Sequence, residues 1–224
     1  MPARCWGYLT LLLMLILFSV ILTSRAKSEP VYVENCSGVY LGHGYVLTAG
    51  HCVEQSDLFV SKANPERKDN ESVEKYTALP VFVTPGRDYG LLRLDKALVK
   101  TTKQERDDDD KGKFKEAPLG TIPFQPTKVS CEPLKLGEPL TFKGWPAGEY
   151  VETTGVVASP VGEHFMWRVS ALVQGAGFFG SSGSGALNAQ GQVKGILVGT
   201  LQGSGLYVIL PTNDVCNILP REIQ

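Results

Sequence analysis

Three short stretches carry the side chains that could do chemistry. They are Thr48-Ala49-Gly50-His51-Cys52, Asp88-Tyr89-Gly90-Leu91-Leu92 and Gly180-Ser181-Ser182-Gly183-Ser184-Gly185. Together they supply an imidazole, a carboxylate and hydroxyls on a glycine-rich turn. A serine hydroxyl is a poor nucleophile at neutral pH until a neighbouring imidazole takes its proton. The imidazole needs a carboxylate to hold its tautomer and to stabilise the imidazolium that forms. The glycines let a backbone turn sharply and aim two N–H groups at one point, because no Cβ stands in the way. The chemistry this set suggests is acyl transfer through an activated hydroxyl. Composition alone would also suit a flexible Gly/Ser linker. The apolar segments Ala171–Val173 and Val193–Leu197 on either side oppose that reading.

The order along the chain is His, Asp, Ser. It differs from the Asp-His-Ser order and from the Ser-Asp-His order that other folds use for the same chemistry. At these residues the chain resembles the chymotrypsin-like (trypsin-type) serine endopeptidases, in the manner of bacterial and viral members without the zymogen N-terminus. The resemblance implies that His51 is the general base, that Asp88 orients it and that Ser182 is the nucleophile. Ser182 is favoured over Ser181 and Ser184 because the family pattern Gly-Asp-Ser-Gly-Gly-Pro aligns on it through the glycines. The N–H groups of Gly180 and Ser182 would form the oxyanion hole. His43 and His164 have no comparable context and read as loop residues.

Several departures from the family pattern are informative. Ser181 stands where trypsin-type zymogens carry the aspartate that pairs with a newly cut N-terminus. The chain also has no Ile-Val-Gly-Gly start, reading instead Ser28-Glu29-Pro30-Val31. With both partners of that ion pair missing, the expectation is an enzyme competent once folded. Tyr89 follows Asp88 where the family has a small residue. Lys143-Gly144-Trp145-Pro146 resembles the family's Gly-Trp-Gly turn. For the substrate pocket, the resemblance points to Ala176, Val198 and Gly199. Ala176 offers no counter-charge to a basic side chain, and Gly195–Thr200 holds no His or Arg for an acidic one. A small or apolar residue before the scissile bond is what remains.

The elements that must position these groups read as strands. Beyond the first 30 residues no long 3.6-residue apolar period occurs. Short β-branched and aromatic runs are punctuated instead by glycine and proline. In the first half these are Val31–Val33, Val39–Leu41, Tyr45–Thr48, Leu58–Ser61, Tyr76–Val83 and Leu91–Leu94. In the second half they are Leu140–Phe142, Val151–Ala158, Phe165–Val173, Ala186–Asn188, Val193–Thr200 and Leu206–Leu210. The fold class expected is all-β, with two six-stranded antiparallel barrels, a closed form that leaves no strand edges. The family fold places its active site in the crevice between such barrels. Residues 31–125 would form the first barrel and 126–224 the second, with a charged loop at 103–115 and one short helix near Thr212–Leu219.

The chain has 224 residues and a formal net charge of −1, which gives no reason to expect a nucleic-acid partner. Residues 1–26 stand apart as a hydrophobic targeting segment, with an uncharged run from Cys5 to Ser24. Ser24-Arg25-Ala26 suits signal cleavage, while the run is also about the ~20 residues that a membrane helix needs. The expectation is a protein secreted or periplasmic, or membrane-anchored on the exported side. Cys36, Cys52, Cys131 and Cys216 lie outside that segment, an even number that suits an oxidising compartment. Four cysteines allow three pairings. The family resemblance implies a Cys36–Cys52 bridge, leaving Cys131 and Cys216 as a second bridge or as two buried thiols. No cofactor or metal is implied, because no His/Cys/carboxylate cluster has ligand spacing. The partner expected is a polypeptide substrate. The competing readings are a catalytically silent peptide-binding module of the same fold and an esterase using the same triad.

Overall fold

The β-branched runs pair into two closed antiparallel sheets. The computed structural model describes residues 28–54, 58–63, 74–84, 87–100, 114–164, 167–175 and 181–224. The segment 1–26, the charged run 103–113, Ala176 and Gly180 lie outside the described residues.

The first sheet contains β1 (Pro30–Val33), β2 (Cys36–Gly42), β3 (Tyr45–Ala49), β4 (Phe59–Ser61), β5 (Lys75–Val83) and β6 (Tyr89–Lys100). They lie in the order β3-β2-β1-β4-β5-β6, and pairing of β3 with β6 closes the barrel. A further strand, β7 (Phe114–Pro118), extends the sheet beyond the barrel along Lys96–Lys100 of β6. The second barrel contains β8 (Pro139–Gly144), β9 (Val151–His164), β10 (Trp167–Gly175), β11 (Gly185–Leu187), β12 (Val193–Leu201) and β13 (Leu206–Pro211). Its closed order is β10-β13-β12-β11-β8-β9. Taken from their first strands, both barrels have one connectivity: strands one, two, three, six, five, four and back to one.

The burial pattern explains the closure. Every residue of β2 and β3 is buried, so neither strand has a face to offer solvent. The barrel interior covers one face, and the second barrel, through β8, β11 and β12, covers the other. Each fully buried Val, Leu or Ile contributes about 1.5–3 kcal/mol. The larger apolar cluster does not stop at one barrel. It runs from Val33, Val46 and Leu92 through Ile196 and Leu210 to Ile223 near the C-terminus. The two barrels therefore share a core across their seam. Two phenols cross that seam as well: Tyr89 OH donates to Pro211 O (2.6 Å) and Tyr45 OH to Glu222 Oε1 (3.2 Å).

Three expectations need correction. Phe114 and Lys115, read as loop, belong to β7, which pairs on one side only and so needs no apolar alternation. His164 closes β9 instead of sitting in a loop. The helix expected over Thr212–Leu219 is two separate 3-10 turns, Thr212–Asp214 and Cys216–Ile218. Prolines 211 and 220 bracket that segment, and Thr212 Oγ1 is drawn off to Ser130 O at 2.7 Å. Cys131 and Cys216, left open between a second bridge and two buried thiols, form the bridge. Among the described residues no helix is long and apolar enough to cross a membrane.

Candidate active site

His51 sits in a 3-10 turn, Gly50–Cys52, entered directly from the end of β3. Ala49 at that end pairs with Tyr89, the first residue of β6, so the register of β3 on β6 sets His51 beside Asp88. The local contacts are dense. His51 N donates to Asp88 Oδ1 at 2.7 Å, and its ring Nδ1 lies 2.9 Å from Asp88 Oδ2. Gly50 N donates to Asp88 O. Because a carboxylate only accepts, the proton in the ring contact belongs to Nδ1. Nε2 is thereby left as the lone-pair nitrogen. The hydrogen bond to Asp88 raises the His51 pKa, burial opposes it, and the charges of Asp88 and Glu54 add to the rise. The His51 side chain is 44% exposed and that of Asp88 20%, so the imidazole faces the solvent and the carboxylate lies behind it.

Cys52, next in sequence, is bridged to Cys36 of β2, as the resemblance implied. The adjacent Ser37 is wholly buried and links three elements through its backbone and hydroxyl. Its N–H donates to Ser182 O at 2.8 Å. Its carbonyl accepts from Thr48 Oγ1 and its hydroxyl from Trp145 N, each at 2.7 Å. A short bonded path therefore runs from His51 through Cys52, Cys36 and Ser37 to Ser182. It ties the serine turn of the second barrel to the segment of the first that carries His51.

The serine stretch is a tight turn leading into β11. Ser184 N donates to Ser181 O across it, and Gly183 N donates to Leu197 O of β12. Gly183 has φ 83°, and a Cβ there would run into Ser37 O and Thr48 Oγ1. Only glycine suits both the left-handed backbone and the close approach. The three serines of the turn are not equivalent. Ser181 is buried at 8% exposure and Ser184 at 1%, whereas Ser182 is partly open. The Ser184 hydroxyl is shut in against Gly144. The N–H of Gly183 is spent on β12 and that of Ser184 inside the turn, while that of Ser182 donates to no described residue.

Of the pocket residues expected from the sequence, Val198 is 4% exposed and belongs to the apolar cluster shared by the barrels, and Gly199 is partly open. A bulge between Leu197 and Gly199 shifts the register of β12 on β13 there. One ring nitrogen of His51 and the sulfurs of Cys36 and Cys52 fall within 4.8 Å of one another. Both sulfurs are committed to the disulfide, so this grouping offers a metal no thiolate. Sequence reasoning gave neither Ser37 nor Thr48 a positioning role, since a serine and a threonine within β-branched runs carry no such signal before the strands are paired.

The chain matches the trypsin-like peptidase domain over residues 36–196, more than two thirds of its length. It belongs to that family. The matched stretch includes all three chemistry-bearing segments. No curated protein matches the sequence significantly. Solved structures share the fold at low identity. The Rv3671c protease of M. tuberculosis, in an inactive form, superposes with TM-score 0.60 at 17% identity, covering 86% of this chain and 87% of that one. The MamO protease domain of Magnetospirillum magneticum gives 0.59 at 19%, covering 88% and 98%. A serine endoprotease from Yersinia pestis gives 0.61 at 16%, covering 87% of this peptidase-family chain and 62% of its own length.

Proposed function

We propose that this trypsin-like peptidase domain is an exported serine endopeptidase working through His51, Asp88 and Ser182. What carries the reading is the Nδ1–carboxylate hydrogen bond of 2.9 Å between His51 and Asp88, joined to the one partly open serine of the glycine turn. In this reading, Ser182 Oγ gives its proton to His51 Nε2 as it attacks the peptide carbonyl. Asp88 holds Nδ1–H and stabilises the imidazolium, which then protonates the leaving amine. Water attacks the resulting acyl-enzyme by the same route in reverse. The N–H of Ser182, which donates to no described residue, would with that of Gly180 receive the oxyanion. Removing one donor of that kind costs ~10²–10³ in rate.

Export is supported by the hydrophobic segment 1–26 and by two disulfides, which persist in oxidising compartments. N-terminal sequencing of the exported protein distinguishes a cleaved segment from a retained anchor. For substrate choice, the neutral pocket composition around Ala176, Val198 and Gly199 favours a small or apolar residue before the scissile bond. A substrate profile dominated by Arg or Glu would refute that.

The test of the function is labelling by a fluorophosphonate serine-hydrolase probe, comparing wild type with Ser182→Ala and Ser184→Ala. Labelling lost only in Ser182→Ala is the expected result. Folded wild-type protein that takes no label would overturn it and bring a peptide-binding module of the same fold to the front.

A further inference from the structure

Asp88 holds a backbone conformation that L residues avoid, with φ 58°. Such a conformation costs on the order of 1 kcal/mol or more and persists only where the surroundings over-determine it. Most of the restraints come from the first barrel. Asp88 O accepts from Gly50 N, and Asp88 Oδ1 accepts from His51 N. The next residue, Tyr89, is pinned to Thr84 twice: its N–H donates to Thr84 Oγ1 at 3.2 Å, and its carbonyl accepts from Thr84 N at 3.0 Å.

One restraint reaches the second barrel. Tyr89 is fully buried, and its hydroxyl donates to Pro211 O at 2.6 Å. Pro211 ends β13 and pairs with Gly195 of β12. Two residues along β12, Leu197 accepts from Gly183 N and donates to Ser184 O. The path from Asp88 through one phenol to the strand that grips the serine turn is therefore short. An aliphatic residue after Asp88 would fill the same seam but could not set a direction.

We propose that Tyr89 is a positioning residue, whose phenol registers the Asp88–His51 pair of the first barrel against the β12–β13 strands that hold the Ser182 turn. Burial raises the Tyr89 pKa, so the hydroxyl stays a donor throughout the working range. The charged groups around it are Asp214 and Arg87, and those around His51 are Asp88 and Glu54. Burial raises the Asp214 pKa while the Arg87 charge lowers it. Both neighbours of Asp88 in sequence thus interact with the Pro211–Asp214 segment.

This rests on the triad reading, but its test does not need turnover. The His51 ring is titrated by NMR in the full chain, which has three histidines. The variants are Tyr89→Phe and Tyr45→Phe. The second removes the other phenol bond across the seam, to Glu222, without touching the Asp88 loop. Asp88 is the main cause of the raised His51 pKa, so loosening it in Tyr89→Phe lowers the His51 midpoint. Tyr45→Phe leaves it unchanged. On a peptide substrate, Tyr89→Phe should lose about tenfold in kcat at unchanged KM, a partial form of the ~10²-fold cost of ångström-scale misplacement.

An unmoved midpoint in Tyr89→Phe, or an equal shift in Tyr45→Phe, overturns the proposal. So does a Tyr89→Phe protein that no longer folds, because the role is then purely structural. If the fluorophosphonate probe labels wild type while the titration does not move, only this inference falls. If wild type takes no label, the functional reading falls and the titration still decides the positioning role.

Discussion

Alanine in place of Gly183 probes how closely the serine turn is held against the first barrel. Two costs can be worked from the structure. The first is conformational: φ at Gly183 is 83°, and an L residue there loses about 1–2 kcal/mol. The second is steric. The added methyl would meet Ser37 O and Thr48 Oγ1, and neither can retreat. Ser37 N holds Ser182 O, Thr48 Oγ1 holds Ser37 O, and the preceding Cys36 is bridged to Cys52. Overpacking of this kind costs about 1–3 kcal/mol. Gly205 separates the two costs, because its φ is 67° and nothing lies within 4 Å of a Cβ there. At roughly 2–4 °C per kcal/mol for a chain of this size, Gly205→Ala should lower Tm by roughly 2–8 °C and Gly183→Ala by roughly 4–20 °C. Labelling by the fluorophosphonate probe should be unchanged in Gly205→Ala. In Gly183→Ala it should slow by about 10²-fold, as the turn is pushed off its position. Equal melting and equal labelling in the two variants would refute the claim that close approach to Ser37 holds the turn in place.

Asp88→Asn removes the carboxylate that raises the His51 pKa. Its kcat should fall on the order of 10⁴-fold, and the acid limb of the kcat/KM profile should move to lower pH. The same linkage gives a stability signature. A raised folded-state pKa means that the His51–Asp88 contribution is fully present below about pH 6.5 and is lost as pH rises through the folded value. The melting difference between wild type and Asp88→Asn should therefore be largest on the acid side and shrink towards alkaline pH. Lys194 is 3% exposed and donates to Pro133 O and to Glu138. Lys194→Met should cost about 3 kcal/mol in urea unfolding, the low end for breaking a buried pair, and adding Glu138→Gln should restore part of it. The Cys36–Cys52 bridge closes 16 residues. Alanine at both positions should cost about 3 kcal/mol by chain entropy and weaken probe labelling through a loosened His51.

Most of the twelve barrel strands were legible because each is a short β-branched or aromatic run closed off by turn residues, a signal that lies within the strand itself; β11, Gly-Ala-Leu, carries only its apolar character. Their true lengths were less legible. β6 runs on to Lys100 and β9 to His164 because each has a hairpin partner that carries the pairing past the apolar stretch. β7 was missed for a related reason: Phe-Lys-Glu-Ala-Pro has no alternation, and only β6 beside it makes it a strand. The 3-10 turns after Pro211 read as helix because composition does not reveal that Thr212 bonds Ser130, or that Cys216 is tied to Cys131.

For the candidate site, sequence by itself determined the cast: a histidine at a strand end, an aspartate before a buried strand, and a serine among glycines, in an order that one family uses. Residue type and local spacing carry that information, since acid–base and nucleophilic chemistry depend on particular functional groups. Only the tertiary structure decided how the cast is held. Ser182 is partly open while Ser181 and Ser184 are buried, and Ser37 ties the serine turn to the disulfide beside His51. Tyr89 reaches across the seam to Pro211. These are contacts between residues up to 145 positions apart, as in Ser37 with Ser182. They exist because two closed barrels share one apolar core, and no local pattern encodes which polar atoms that packing will leave face to face.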